Sequence, residues 1–572
     1  MRTWSSLLCL LAWQRLEGWQ HVGLALLLVL KNALLWGWPF VLAGVLAALA
    51  RGPESGFSLL WITLGLAIVA LLVNPPLHRW YIWRTAAVVR RMEASLRQSL
   101  MERIHHADAD QLDALDSGAM QTRVMRDVDQ IASLAAMWWH HLLGVLVSMI
   151  VVIITTAWQE PRMLVGYVAI LPIAMGVSIW ALNRLEPHHA KFRSLVENVG
   201  GMVADSLRTL PVTRAHGVDR ERLGVVGAGL ARLQRRGLAL DGSTGWVDAA
   251  IWSLFEVLKI IQLGWLAWQY WNGHCTLPEV VLVHGLFIGL IGSISGIVWA
   301  LPGLQMGCAS VEAVREQLAR PLPAIGSRRV AQVRGTIQFE NVDYRYPGRV
   351  QAALMGIDFH IKSGEQIALA GCSGSGKSTL AQIALGLRLP SSGRVLLDGI
   401  AVQDLDLPWW RRHVAVVSQR VILANASMRE NVAFGSHGIT DAAIHRALEA
   451  VALDHLLTQL PHALDTRLGE DGVILSGGQR QRLTIARALV RDPRLVVLDE
   501  ADAALDPFTE GLVQDALNRL CAGRTVLTLS HRPSALSAAQ RVVVLDHGRI
   551  IAEGPYPKLA HLLTCSSPGV TA

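Results

Sequence analysis

Charged residues are scarce in this 572-residue sequence: Asp, Glu, Lys and Arg make up 17% of it, against about a quarter in soluble proteins. Hydrophobic residues make up 52%, which argues against an ordinary soluble protein. The six cysteines form no CxxC pair, which excludes a common zinc or disulfide framework and suits a reducing compartment. There is no Lys/Arg-rich run, so we assign the net charge of +7 to arginines that flank membrane helices and expect no nucleic-acid partner.

Tryptophan is nearly absent from the second half of the chain. Eighteen of the 20 tryptophans precede residue 300, and this residue favours the lipid–water interface. The bias predicts a membrane domain over residues 1–320 and a soluble domain over residues 330–565. The polar, proline-containing stretch "QLARPLPAIGSRRV" separates the two.

The first half contains long apolar runs. A membrane-spanning helix needs about 20 apolar residues. Six predicted spans meet this requirement, at about 22–49, 57–77, 137–157, 163–182, 247–270 and 280–303. The segments after the second and fourth spans are long, rich in arginine and helical in periodicity, so we expect the helices to continue into the cytoplasm, where both termini lie.

Some polar residues fall inside these spans. Glu256, Lys259 and Gln262 recur every three residues in the fifth span, and Lys31 and Asn32 lie in the first. Such residues seldom face lipid because a charge at mid-membrane costs about 2.5–3.5 kcal/mol. Two interpretations stay open: a local Glu256–Lys259 pair that neutralises itself, or a polar stripe that binds cargo.

The second half contains a phosphate-binding loop. The buried-strand pattern "QIALA" is followed by "GCSGSGKST", which fits GxxxxGK[ST], and then by an apolar helix. Glycines let backbone N–H groups approach phosphates, Lys377 neutralises them, and the Ser378 hydroxyl suits Mg²⁺. A second strand, "RLVVLDE", ends in Asp499 and Glu500, which suit metal binding and proton abstraction.

A second anion-binding pattern, "LSGGQ", opens a long predicted helix at Leu475. One nucleotide does not need two such sites on one domain. Together with "DYRYP", "VSQR", "AALD" and "TLSHR", and in the order in which they occur along the chain, these motifs resemble those of the ABC transporters, and the resemblance covers essentially the whole chain. It implies a half-transporter: an all-α six-helix transmembrane domain followed by an α/β P-loop ATPase domain.

The resemblance also implies the roles of individual residues. Glu500 would be the general base, and His531 would steady the γ-phosphate. Gln419 would act beside them and would hold Mg²⁺ together with Ser378 and Asp499. The residues implied to contact ATP are Tyr346, Gly371, Ser373, Gly374, Gly376, Lys377, Ser378, Thr379, Ser476, Gly477, Gly478, Gln479 and Asp506.

Partners and location follow from the same resemblance. Two ATPase domains would meet head to tail, so that each ATP lies between Lys377 of one chain and Ser476–Gly478 of the other. A homodimer is sufficient, and a related second half-transporter stays an alternative. Short coupling helices are expected near residues 108–118 and 209–220. We expect a multi-pass protein of a bacterial inner membrane, with the ATP-binding domain in the cytoplasm.

The sequence indicates the transported molecule less clearly than it indicates ATP hydrolysis. An exporter of a small or medium amphipathic molecule, such as a peptide or a drug, is the favoured reading. A lipid flippase or a siderophore importer on the same fold is the alternative, followed by an ATP-gated channel or sensor.

Overall fold

A computed structural model describes residues 2–15, 18–113, 117–159, 161, 164–320, 322, 326–419, 421–436, 438–469, 472–501 and 507–562. The chain forms two compact units. The first comprises Met1–Arg103 and Ser117–Arg320, and the second comprises Ile104–Asp116 and Pro321–Ala572.

Helices dominate the N-terminal part of the chain. They are α1 (Arg2–Trp13), α2 (Gly18–Ala50), α3 (Gly52–His106), α4 (Ala109–Asp113), α5 (Ser117–Thr122), α6 (Val128–Met137), α7 (Leu143–Gln159), α8 (Leu164–Arg208), α9 (Leu210–His216), α10 (Asp219–Trp271) and α11 (Leu277–Ala319). Two π-helical turns, Arg123–Asp127 and Trp138–Leu142, join α5, α6 and α7 into one stretch.

Within the described residues, five helical stretches are long and apolar enough to cross a membrane. They are Gly18–Ala50, Gly52–His106, Met120–Trp158, Asp219–Trp271 and Leu277–Gly296. Five of the predicted spans overlap them. The predicted span at 163–182 begins at a residue outside the described ones. The rest of it lies in the first part of α8, and most side chains of that part are also undescribed, so this span stays a prediction.

Several helices are longer than a bilayer requires. The 55 residues of α3 extend about 80 Å at 1.5 Å per residue, whereas a hydrocarbon core is about 30 Å thick. The sequence led us to expect such extended helices after the second span. Within the unit, small residues let helices approach closely: a Cβ added at Gly285 of α11 would lie 2.8 Å from the Cβ of Pro39 in α2.

The polar residues of the fifth span form a local pair. The Lys259 Nζ lies 2.7 Å from the Glu256 Oε1, and both side chains are partly buried. In the first span, the Lys31 ammonium lies 4.6 Å from the centre of the Tyr81 ring. The self-neutralising arrangement is therefore present in the structure, while contact with cargo stays a hypothesis.

The second unit combines strands and helices. Its strands are β1 (Ile337–Tyr344), β2 (Leu354–Ile361), β3 (Gln366–Ala370), β4 (Ser392–Leu397), β5 (Ile400–Ala401), β6 (Val414–Val417), β7 (Leu495–Asp499), β8 (Thr525–Leu529), β9 (Arg541–Asp546) and β10 (Arg549–Gly554). Its further helices are α12 (Lys377–Ala384), α13 (Leu407–Arg411), α14 (Met428–Ala433), α15 (Asp441–Ala450), α16 (Asp454–Gln459), α17 (Gly477–Val490), α18 (Pro507–Cys521), α19 (Pro533–Ala538) and α20 (Tyr556–Leu559).

The strands form two sheets. The larger has the order β10-β9-β3-β8-β7-β6, in which β9 to β6 run parallel and β10 pairs antiparallel at the edge. The smaller, antiparallel sheet has the order β2-β1-β4-β5. The short strand β3 is almost wholly buried, as expected for a parallel strand covered on both faces. Helices followed by an α/β unit confirm the predicted fold class.

This topology determines where the site residues come together. Strands β3 and β7 flank β8, so the segments that follow all three leave the same edge of the sheet. In open parallel sheets, ligands bind at the carboxyl ends of the strands. The P-loop follows β3, Glu500 follows β7 and His531 lies just beyond β8.

Candidate ATP-hydrolysis site

Glycine is sterically required at both ends of the P-loop, which connects β3 to α12. At Gly371 the backbone φ is +142°, and a Cβ would lie 2.2 Å from the Leu545 carbonyl oxygen. At Gly376 φ is +105°, and a Cβ would lie 2.8 Å from the Ala353 carbonyl oxygen. A side chain at either position would displace the loop from the N-terminus of α12, where backbone N–H groups are suited to bind an anion.

The lysine of this loop is held in place by the loop itself. The Lys377 Nζ donates to the carbonyl oxygens of Gly371 at 2.7 Å and Cys372 at 2.8 Å. Burial lowers the pKa of Lys377, and the nearby carboxylates of Glu500 and Asp499 partly counter that shift. The ammonium is thus positioned over a loop that is suited to phosphate.

The other P-loop residues expected to contact ATP differ in how exposed they are. Ser373, Gly374 and Ser378 are exposed, whereas Thr379 is buried. The Thr379 Oγ1 lies 2.9 Å from the hydroxyl of Tyr346, the aromatic residue expected to stack on adenine. The exposed groups are available to a nucleotide, and the buried threonine links α12 to the tyrosine.

Four cysteines among the described residues are free thiols: Cys9, Cys275, Cys308 and Cys521.

Two carboxylates follow the strand β7. Burial raises the pKa of Asp499, Glu500 adds to the shift, and Lys377 opposes it. Glu500 adopts a left-handed conformation with φ of +46°, and its backbone N–H donates to the Leu529 carbonyl oxygen at 3.0 Å. A positive φ is uncommon for a residue with a side chain and is frequent at functional sites.

The three predicted catalytic residues meet through hydrogen bonds. The Gln419 Nε2 donates to the Glu500 Oε2 at 2.7 Å, and the His531 Nδ1 lies 3.1 Å from the other oxygen, Oε1. The Glu500 side chain is 27% exposed and that of His531 is 68% exposed. A carboxylate held on both sides yet open to water is suited to accept a proton from a water molecule.

The "LSGGQ" residues form the start of α17. Ser476 is the N-cap, its hydroxyl accepts from the Gln479 backbone N–H, and the Gln479 side chain accepts from the Ser476 backbone N–H. Gly478 is buried, but a Cβ added at Gly477 would meet no atom of the described residues within 4 Å. In the described part of the chain, no hydrogen bond joins these residues to the P-loop.

Two further predictions concern Asp506 and the Mg²⁺ ion. Asp506 lies outside the described residues, so its role stays a prediction. The described residues contain no cluster of three His, Cys, Asp or Glu side chains suited to hold a metal ion. The oxygen donors Ser378, Asp499 and Gln419 fit Mg²⁺, which prefers oxygen ligands and commonly binds one or two carboxylates together with phosphate and water.

Sequence reasoning missed several residues beside the nucleotide-binding loop. A cavity of about 620 Å³ is lined by Tyr346, Gly374 and His547, and also by Asp110 and Asp113 of α4. The segment containing α4 had been expected to form a coupling helix, but no pattern in it indicated that its carboxylates would line this cavity.

Comparison with known protein families covers both parts of the chain. The model of the ABC transporter transmembrane region matches residues 23–294, and the ABC transporter model matches residues 354–503. Among curated relatives, the ATP-dependent lipid A-core flippase of Ralstonia nicotianae is 31% identical over 82% of this chain and 80% of its own length. The lipid A-core flippase of Legionella pneumophila (strain Paris) is 28% identical over 91% of this chain and 92% of its own length.

Comparison with solved structures covers almost the whole chain. A bacterial Atm1-family ABC exporter with ATP bound superimposes with a TM-score of 0.82, over 95% of this chain and 96% of the exporter. Sequence identity between the two is 21%, so the likeness is one of fold.

Proposed function

This chain belongs to the ABC transporter family, and on that premise we propose that two copies hydrolyse ATP at shared sites to export an amphipathic molecule. Because the chain belongs to this family, its activity is ATP hydrolysis coupled to transport across a membrane. The observation that carries the rest is the hydrogen-bonded group of Gln419, Glu500 and His531 beside the P-loop lysine.

Each residue of this group has a role that its geometry supports. Glu500 takes a proton from the attacking water, because its carboxylate is ionisable and partly open to solvent. Gln419 orients that carboxylate, and His531 steadies the charge that develops on the γ-phosphate. Lys377 neutralises the phosphates, while Ser378, Asp499 and Gln419 would hold the Mg²⁺ that binds with ATP.

The second half of each site would come from a partner chain. The 14-residue helix α17 presents backbone N–H groups at its N-terminus, and none of the described residues of its own chain crowds Gly477. The open space at Gly477 would allow the γ-phosphate of an ATP bound to a second chain to approach closely. ATP would then join the two ATPase domains, and hydrolysis would release them. A second copy is the simplest partner, and a related half-transporter is the alternative.

For the cargo, a lipid is favoured over the peptide or drug that the sequence first suggested. The relatives named above are lipid A-core flippases. In the membrane unit of this chain, a groove of about 410 Å³ is lined by Trp19, Trp80 and Trp83 together with Arg84 and Arg91. Tryptophans and arginines beside an apolar groove suit a lipid with an anionic headgroup.

Reconstitution into liposomes would test this function. With ATP on the side of the ATPase domains, we expect a fluorescent anionic lipid to move between leaflets faster than a labelled peptide crosses. Arg84→Gln with Arg91→Gln should slow the lipid, while Arg79→Gln on the same helix serves as the control. Peptide transport without lipid movement would instead indicate a peptide exporter. Uptake of a siderophore would indicate an importer and contradict the proposed direction of transport. ATP-gated ion current without net transport would indicate a channel.

A further inference from the structure

Arg388, four residues beyond the end of α12, is a buried cation. Its side chain is only 4% exposed. Its Nε donates to the Gln382 Oε1 at 2.6 Å, and its Nη1 donates to the Tyr344 hydroxyl at 3.1 Å. A charge this deeply buried is tolerated only when further groups compensate it.

That compensation comes from the short helix α4. The Nη1 of Arg388 pairs with Asp110, and its Nη2 pairs with Asp113. Asp110 also accepts from the Tyr344 hydroxyl, and the backbone N–H of Ala109 donates to the Leu387 carbonyl oxygen at 3.3 Å. The guanidinium fork therefore holds both carboxylates of α4, which a lysine could not do with the same geometry.

The same guanidinium also contacts the expected adenine-binding ring. The Arg388 Cζ lies 4.8 Å from the centre of the Tyr346 ring, within the range of a cation–π interaction. The hydroxyl of that ring forms a hydrogen bond with the Thr379 Oγ1 of α12. Asp110, Asp113 and Tyr346 line one cavity, so the carboxylates and the ring lie at the same binding space.

We propose that Arg388 is a positioning residue that couples the base-binding ring of Tyr346 to α4, so that nucleoside triphosphate binding and the docking of α4 strengthen each other. The inference rests on the proposed function, in which Tyr346 stacks on the base. One orientation of the guanidinium satisfies both the ring and the two carboxylates. Neutralising the carboxylates releases that orientation and loosens the ring, and thermodynamic linkage makes the effect reciprocal.

Nucleotide binding to full-length protein carrying Glu500→Gln, which prevents turnover, tests the coupling. The test variant adds Asp110→Asn and Asp113→Asn, which keep size and remove charge. The matched control adds Asp108→Asn: Asp108 accepts from the Gln111 backbone N–H at 2.7 Å, and asparagine serves equally well in such a position. The probes are ATP and inorganic tripolyphosphate, each displacing a fluorescent nucleotide. Tripolyphosphate has no base to stack on Tyr346.

We expect the double aspartate variant to bind ATP at least about fivefold more weakly than the control, with tripolyphosphate affinity unchanged. Equal ATP affinity in the two proteins would overturn the inference. So would an equal loss for both ligands, because general damage to the domain does not depend on the base.

A Tyr346→Ala variant separates this inference from the proposed function. If Tyr346→Ala weakens ATP binding but the aspartate variant does not, base stacking stands and the coupling is wrong. If Tyr346→Ala leaves ATP binding unchanged, the assignment of the base-binding ring is itself wrong. Arg388→Lys should reproduce the selective loss of ATP affinity, since it keeps the charge and loses the fork.

Discussion

Substituting the proposed general base should nearly abolish turnover while leaving ATP binding intact. Glu500→Gln preserves the shape of the side chain and one oxygen acceptor for Gln419 at 2.7 Å or His531 at 3.1 Å, but the amide cannot accept the proton from water. General-base catalysis contributes about 10²- to 10⁴-fold to rate. At about 1.36 kcal/mol per tenfold change, the activation barrier should rise by about 2.7–5.4 kcal/mol. The Lys377 contacts to the P-loop carbonyls do not involve this carboxylate and should persist.

The assay pairs steady-state phosphate release with equilibrium ATP binding on the same preparation. Glu553→Gln is the matched control, because this glutamate lies on the edge strand β10 and pairs with Arg541 at 3.1 Å, away from the site. We expect the control to hydrolyse ATP like the parent. Phosphate release by Glu500→Gln within threefold of the parent, with normal binding, would refute the assignment of Glu500 as the base.

Three further outcomes follow from particular contacts. Gly477→Ala should change the free energy of unfolding by no more than about 1 kcal/mol but lower ATPase more than about tenfold; unchanged ATPase would show that nothing approaches this glycine. Glu256→Gln with Lys259→Gln should retain basal and cargo-stimulated ATPase, since each residue neutralises the other at 2.7 Å, and lost stimulation would instead indicate cargo contact. Hydrogen bonds from the Ser392 hydroxyl and the Gly356 backbone N–H lower the pKa of Asp343, so Asp343→Asn should reduce thermal stability above about pH 4. The difference in stability from the unmodified protein should vanish as the pH falls through the lowered pKa of Asp343. A difference that persists in acid would contradict this linkage.

Much of the ATP site could be predicted because its chemistry is concentrated in short segments. The P-loop residues lie within nine positions, and the strand before them is recognisable from its buried apolar pattern. Glu500 and His531 follow neighbouring parallel strands, so placing them on strands already places them at one edge of the sheet. Their meeting through hydrogen bonds depends on the left-handed turn at Glu500, which the sequence did not indicate.

Contacts between distant segments could not be predicted in the same way. Arg388 and Asp110 are 278 positions apart, and each belongs to a segment with an unremarkable pattern of charge. The pairing arises because α4 packs within the second unit, although it follows directly from the long helix α3.

A complementation experiment tests most directly whether ATP is hydrolysed at sites shared between two chains. Lys377→Ala and Ser476→Arg should each inactivate a dimer made of identical chains. In a mixed dimer purified by two different tags, one shared site carries both substitutions and the other carries neither. An account with two shared sites that act independently therefore predicts that the purified mixed dimer recovers about half of the ATPase of the unmodified dimer, from one of two equivalent sites. A mixed dimer as inactive as the two mutant homodimers would contradict this account. Such a result is expected if each site is built within one chain, because both chains of the mixed dimer then carry a damaged site.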